Sequence, residues 1–289
     1  MGIKIILLII FFAVMAAVGI YSRRHVTSVD GFVLGGRSVG PWLTAFAYGT
    51  SYFSAVVFVG YAGQFGWKYG IASTWIGIGN ALIGSLLAWV VLGRRTKVMT
   101  QHLGSRTMPD FFGERYKSKS LKITASVIVF VFLIPYTASV YNGLSRLFAM
   151  AFNIPYTWCV VTMAAFTALY VILGGYMATA INDFIQGIIM LIGIVAVIAA
   201  VLNGQGGFMN AIAEMAKIPS DVPLTQGQPG AFTSFFGPDP VNLLGVVLLT
   251  SLGTWGLPQM IGKFYAIKDE KSISTGTCLL YTSPSPRDS

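Results

Sequence analysis

Gly40–Gly66, GPWLTAFAYGTSYFSAVVFVGYAGQFG, decides how the rest of the chain is read. Its length suits one pass through a bilayer, since about 20 residues at 1.5 Å rise cover roughly 30 Å of hydrocarbon. Small and hydroxylated residues crowd its middle: Ala47, Gly49, Thr50, Ser51, Ser54 and Ala55. A lipid-facing helix would carry Leu and Ile there, so this one is expected to lie among other helices. Two readings stay open. Small residues let helices pack closely. Gly49-Thr50-Ser51 is also a place where the backbone can open, which at membrane depth is tolerated only inside protein or beside a cavity. Freed carbonyls and hydroxyls are hard oxygen ligands suited to a small cation.

The composition agrees with a membrane setting. Of 289 residues, 55% are hydrophobic and 10% charged, and the mean hydropathy is +0.71. Soluble domains carry about 25% charged residues. The expected class is an all-α polytopic membrane protein. A net charge of +9 does not point to nucleic acid, because the basic residues sit in loops between apolar spans. The two cysteines, Cys159 and Cys278, offer neither a disulfide framework nor a metal cluster.

Outward from the opening stretch, seven spans are expected. Ile3–Tyr21 reads as a retained first helix, because no small-residue cleavage site follows it. Gly40–Gly66 is the second and Tyr69–Leu92 the third, with Trp75, Asn80 and Trp89. The polar connection Arg94–Lys122 contains MPDFFGERY, read as a short interfacial helix. Ile123–Met150 is the fourth span, interrupted by Pro135; Tyr156–Tyr176 is the fifth and Ile181–Leu202 the sixth. Val241–Gly262 is the seventh, broken by Gly253, Gly256 and Pro258. Loops after spans one, three and seven hold three, eight and three Lys or Arg, the last being Lys263, Lys268 and Lys271. Loops after spans two, four and six hold one, none and one. This asymmetry places the first set in the cytoplasm and the N-terminus outside. Ser272–Leu280 reads as the start of an eighth helix. The tail Cys278–Ser289 resembles translated adapter sequence and is set aside, so the protein is expected to be cut short.

GFVLGGRSVGPW (Gly31–Trp42), leading into Gly40–Gly66, resembles the sodium:solute symporter family, which includes proline, pantothenate, sialic acid and sugar symporters. TMPDFFGERY (Thr107–Tyr116), ILGGYMATAINDFIQG (Ile172–Gly187) and GLPQMIGKFYAIKD (Gly256–Asp269) agree in order and spacing. The resemblance implies a LeuT-type inverted-repeat fold, truncated here after about seven transmembrane helices. Residues 3–21 would be the leading helix, 41–202 the first five-helix repeat, 241–277 the start of the second and 278–289 a non-native tail. The first helix of each repeat is the broken one, in accord with the Gly49 region and Gly253–Pro258.

The resemblance also implies that the backbone carbonyls of Thr50 and Phe53 bind the main sodium ion. Asp183 is the only acidic residue close to a span's hydrophobic core, and ionisable residues there are usually functional. Ile181-Asn182-Asp183 also fits a helix N-cap, where Asp is favoured. The resemblance implies a sodium site or ion exit path for it. Tyr52 stands where the proline symporters carry Asp, and Tyr52-Phe53-Ser54-Ala55 is closer to the pantothenate symporters' pattern. Its phenol either lines the pocket or packs, and Ser54 offers a hydroxyl to substrate. Trp255, before Gly-Leu-Pro, reads as a substrate-stacking or gating residue, or as an interfacial Trp. Tyr136 and Asn142 face a cavity or pack, and Arg146 reads as snorkelling.

The expected function is sodium-coupled symport of a small organic solute across the inner (cytoplasmic) membrane, with proline or a similar amino acid favoured. The alternatives are pantothenate or another monocarboxylate, or a membrane solute sensor on the same fold. No nucleophile–base pair or metal cluster lies within the spans, so an enzyme is not expected. Sodium is the coupling ion, and no other cofactor and no nucleic acid partner are expected.

Overall fold

The computed structural model describes residues 2–53 and 61–281. Among the described residues, eleven helices carry the fold, and the only strand-like feature is one isolated bridge, Val39 to Ile267. α1 is Gly2–Ser22. α2, Val29–Leu34, is capped by Ser28 Oγ, which accepts from the Gly31 N–H at 3.0 Å. α3, Pro41–Tyr52, starts on a proline whose missing N–H costs nothing in a first turn. α4, Ala62–His102, bends at Gly70 (φ 59°) and widens into π-type turns over Asn80–Leu87 and Trp89–Gly93. α5, Met108–Tyr116, is the expected short helix, with Thr107 Oγ1 accepting from the Asp110 N–H.

α6, Lys119–Phe152, and α7, Tyr156–Gly204, are the long helices. α8 is Phe208–Ala216. α9, Pro240–Gly253, runs into a tight turn at Thr254–Gly256, and α10, Pro258–Ala266, follows at a bend of 49°. α11 is Glu270–Tyr281. The Ser272 N–H donates to the Asp269 carboxylate at 2.7 Å at its start, which holds that carboxyl below the ordinary range.

Among the described residues, four helices are long and apolar enough to cross a membrane, and the bent pair α9–α10 makes a fifth. The difference from seven expected spans has two sources. The middle of span two, residues 54–60, lies outside the described residues, Ser54 among them. Spans five and six are two helices that meet at a kink and are counted together as the run Tyr156–Gly204. Gly175 interrupts it with φ 54° and ψ −147°. A Cβ at Gly175 would come within 2.7 Å of the Phe32 carbonyl, so the break also admits α2.

Two readings left open are decided and two expectations, at Pro135 and Lys263, are corrected. The backbone does not open at Gly49-Thr50-Ser51. α3 stays helical there, because the Phe53 N–H still reaches the Gly49 carbonyl at 2.9 Å and Thr50 Oγ1 donates to Phe46 O at 2.9 Å. The helix ends one turn later, at Phe53 (φ −88°, ψ 59°). Pro135 does not end α6; a proline removes one ladder bond, and the helix runs through it. Asp183 is not a helix cap, because α7 is already helical before it. Lys263 is not a loop cation, because it lies inside α10 with its side chain 8% exposed.

α3 sits at the centre. Ala45, Tyr48 and Tyr52 pack with Trp89 of α4, Met260 and Phe264 of α10, and Ile273 of α11. Trp89 meets Tyr48 and Phe264 edge to face at 5.5 and 5.2 Å, a geometry that adds roughly 0.5–1.5 kcal/mol per pair beyond area burial. The loops after spans one, three and seven gather at one end of the molecule, joined by Arg106–Asp30 and Arg94–Glu270. At the other end the Trp75 indole donates to the Phe235 carbonyl at 3.0 Å.

Candidate functional site

Successive helical residues are about 100° apart, so Thr50 and Tyr52 point to nearly opposite faces of α3. The structure puts a different chemistry against each.

Tyr52 faces α4 and the broken span. Its hydroxyl donates to Asn80 Oδ1 at 2.8 Å, and Thr254 Oγ1 donates to it at 3.3 Å. Ser251 Oγ donates to the same Asn80 oxygen at 3.3 Å. The Trp255 indole N–H donates to the Ile83 carbonyl at 3.0 Å. Ile83 lies in the π-type stretch, and such turns open the backbone enough for a carbonyl to take a side-chain donor. Gly84 permits the approach: a Cβ there would sit 2.0 Å from the Tyr52 hydroxyl. Tyr52 and Trp255 are thus brought to one junction, where the end of α3, the middle of α4 and the interruption of α9–α10 converge. At that interruption both polar atoms of the Gln259 amide are buried without a partner. A buried amide of this kind calls for a water or a ligand.

Thr50 faces α7. Its methyl lies against Gly187, where a Cβ would come within 3.0 Å, and Phe46 meets Phe184 edge to face at 4.7 Å. Gly187 is one turn from Asp183, so Thr50 and Asp183 share the α3–α7 interface. The Asp183 carboxylate is ion-paired to Lys263 Nζ at 3.1 Å, with side chains 24% and 8% exposed. The Lys263 ammonium also lies over the Tyr176 ring at 5.3 Å. Asn182, next to Asp183, is 1% exposed with neither amide atom partnered. Phe53 ends α3 beyond both faces, 38% exposed.

An apolar groove of about 520 Å³ runs from α5 and α6 to Gly256, Leu257 and Pro258 at the same interruption, with Tyr136 on its wall. Asn142 instead accepts from Arg146 Nε at 2.8 Å and from the Tyr156 hydroxyl at 3.1 Å.

Asn80, Gly84, Ser251, Thr254, Gln259 and Lys263 belong to the site and were not singled out from sequence. Asn80 had a usable signal, a lone amide in an apolar span. Lys263 had none, because beside a break it reads as the first loop cation.

The sodium:solute symporter family profile matches residues 32–283. Sodium/proline symporters of Staphylococcus aureus strains JH9, NCTC 8325 / PS 47 and COL are each 33% identical over 276 residues, covering 93% of this chain and 51% of theirs. The chain spans about half the length of these curated relatives.

Proposed function

Since the chain belongs to the sodium:solute symporter family, we propose that it carries a small organic solute across the cytoplasmic membrane together with sodium, with proline or a similar amino acid as the cargo. The observation that carries this reading is the junction of Tyr52, Asn80, Ser251 and Thr254 at the end of α3 and the interruption of α9–α10. Its donors and acceptors are neutral and shared, so a solute with a carboxylate and an amine can take over some of them. The helix ends suit the same cargo. α3 ends there with the negative end of its dipole, which favours a cation, and α10 begins there with the positive end, which favours a carboxylate. The Gln259 amide at that start is ready to bond either group.

Sodium is assigned to the Thr50 and Phe53 carbonyls, with Asp183 on the adjoining face of α7. A sodium ion beside Asp183 would weaken the hold of the carboxylate on Lys263 and so loosen α10. The interrupted span α9–α10 supports a LeuT-type inverted repeat with α1 leading it. The basic end is read as cytoplasmic and the N-terminus as outside. An inward sodium gradient and voltage drive the cycle, the voltage contributing roughly 2.3 kcal/mol per charge per 100 mV.

Pantothenate or another monocarboxylate is the second reading, favoured by Tyr52. A phenol in place of a carboxylate leaves no acid beside α3's end to pair with an amine. The experiment is uptake into proteoliposomes under an inward sodium gradient, with the protein expressed from its own gene. Sodium-stimulated proline uptake is expected, pantothenate uptake in its place selects the second reading, and sodium stimulation of neither overturns both. Asp183→Asn is expected to raise the sodium concentration for half-maximal uptake about tenfold, equivalent to ~1.4 kcal/mol. Unchanged sodium dependence removes Asp183 from the ion path.

A further inference from the structure

Two short helices meet at the basic end of the molecule, α3 and the second half of the interrupted span, α10. α3 starts there and α10 finishes there. The Val39 N–H donates to the Ala266 carbonyl at 3.3 Å, and the Lys268 N–H donates to the Val39 carbonyl at 2.9 Å. Val39, Ala266 and Ile267 are wholly buried. These backbone bonds tie the entry of α3 to the exit of α10.

A third helix holds that pair. Lys97 of α4 is wholly buried, yet among the described residues no carboxylate lies within ion-pair distance of it. Its ammonium donates to the Tyr265 carbonyl at 3.4 Å and to the Ile267 carbonyl. Carbonyls at the end of a helix lack intrahelical partners and carry the negative end of its dipole. Beside this contact Arg37 Nη2 donates to the Ser105 carbonyl at 2.6 Å, fixing the loop before α3 to the connection after α4.

The residue type is informative. An apolar side chain of similar length would fill this space without desolvating a charge, and it would resist being uncovered. An ammonium on backbone carbonyls loses little when water replaces the contact, because water solvates both partners well. Such a contact suits a joint that opens and closes.

We propose that Lys97 is the positioning residue of a gate at the basic end: its ammonium holds the tied helices α3 and α10 against α4, and its withdrawal lets the pair swing out and opens the central junction to that side. The proposal rests on the transporter reading, in which one site faces two sides in turn.

The test uses single cysteines in the protein expressed from its own gene, with every native cysteine, Cys159 among them, replaced by serine. Ala266→Cys reports on the closed gate, and Gln228→Cys, exposed at the other end, serves as the control. In vesicles, a membrane-impermeant maleimide is applied to each side in turn. Lys97→Met is expected to speed labelling of Ala266→Cys from the basic side by about tenfold or more, as a local opening would. Lys97→Arg, which keeps the charge and the donors, is expected to stay near the unsubstituted rate. Gln228→Cys should not change in either variant. Unchanged labelling of Ala266→Cys in Lys97→Met overturns the proposal. Equal acceleration at both cysteines overturns it as well, because Lys97 would then only support the fold. Adding sodium separates the two readings. A Lys97→Met effect with no influence of sodium on the unsubstituted protein keeps the gate and counts against sodium coupling.

Discussion

α9 and α10 are two halves of one interrupted span, yet different chemistry holds each. Around α9 and the turn after it, Ser251, Thr254 and Trp255 make neutral hydrogen bonds to Asn80, Tyr52 and the Ile83 carbonyl. Each is worth roughly 0.5–1.5 kcal/mol net, because water or a solute can replace either partner. α10 is held by charge and backbone: Lys263 on Asp183, the Lys97 ammonium on the terminal carbonyls, and the bridge to Val39. Removing Lys263 or Asp183 alone leaves its partner uncompensated, so that pair is kept whole or given up whole. The difference teaches where yielding is cheap. In the proposed transporter the centre would trade bonds with a cargo in small steps, whereas the basic end would change state as a unit.

The sharpest way to break this comparison is at Lys263. Lys263→Met alone strands the half-buried Asp183 carboxylate and is expected to cost about 3 kcal/mol, the low end for a buried pair. Adding Asp183→Asn should recover most of that loss. Denaturation midpoints in detergent measure both, and equal losses in the single and double variants would mean that the pair does not hold α10.

Gly84→Ala comes next. A methyl group there would sit 2.0 Å from the Tyr52 hydroxyl and 3.2 Å from the Ser251 carbonyl. Overpacking of this kind costs roughly 1–3 kcal/mol and should also weaken solute binding. A variant with unchanged stability and binding would show that the junction is looser than the neutral-bond picture requires.

The smallest effect is expected from Tyr52→Phe. It removes one hydroxyl and leaves Asn80 Oδ1 with Ser251 alone, at a cost of about 1 kcal/mol. If the junction trades bonds with the cargo, equilibrium binding of proline should weaken about fivefold, a change of similar size. Unchanged affinity would make Tyr52 a packing residue.

Much of the fold was legible from periodicity and composition. The interruption of span seven at Gly253–Pro258 falls where Gly and Pro predicted it, because Pro258 has no N–H for the ladder and glycine weakens a helix. α3 does not open at Gly49-Thr50-Ser51, although the composition there invited it. Thr50 closes its own hydroxyl onto Phe46 O, and the ladder survives to Tyr52. Local residue type shows where a helix can open; whether it does depends on what its neighbours offer the freed groups.

The same division runs through the site. From sequence alone came the all-α membrane class, the family resemblance, the broken seventh span and the candidates Thr50, Tyr52, Phe53, Ser54, Asp183 and Trp255. These follow from hydropathy, Gly and Pro placement and motif spacing, all of which are local in the chain. Only the tertiary structure decided that Thr50 meets α7, that Asn80 receives Tyr52, and that Lys263 and Lys97 are buried ties rather than loop cations. The contacts behind those assignments join residues 28 to 202 positions apart. A charge or an amide takes its role from the partner that packing brings to it, and residues that far apart in the chain do not reveal that partner until the helices meet.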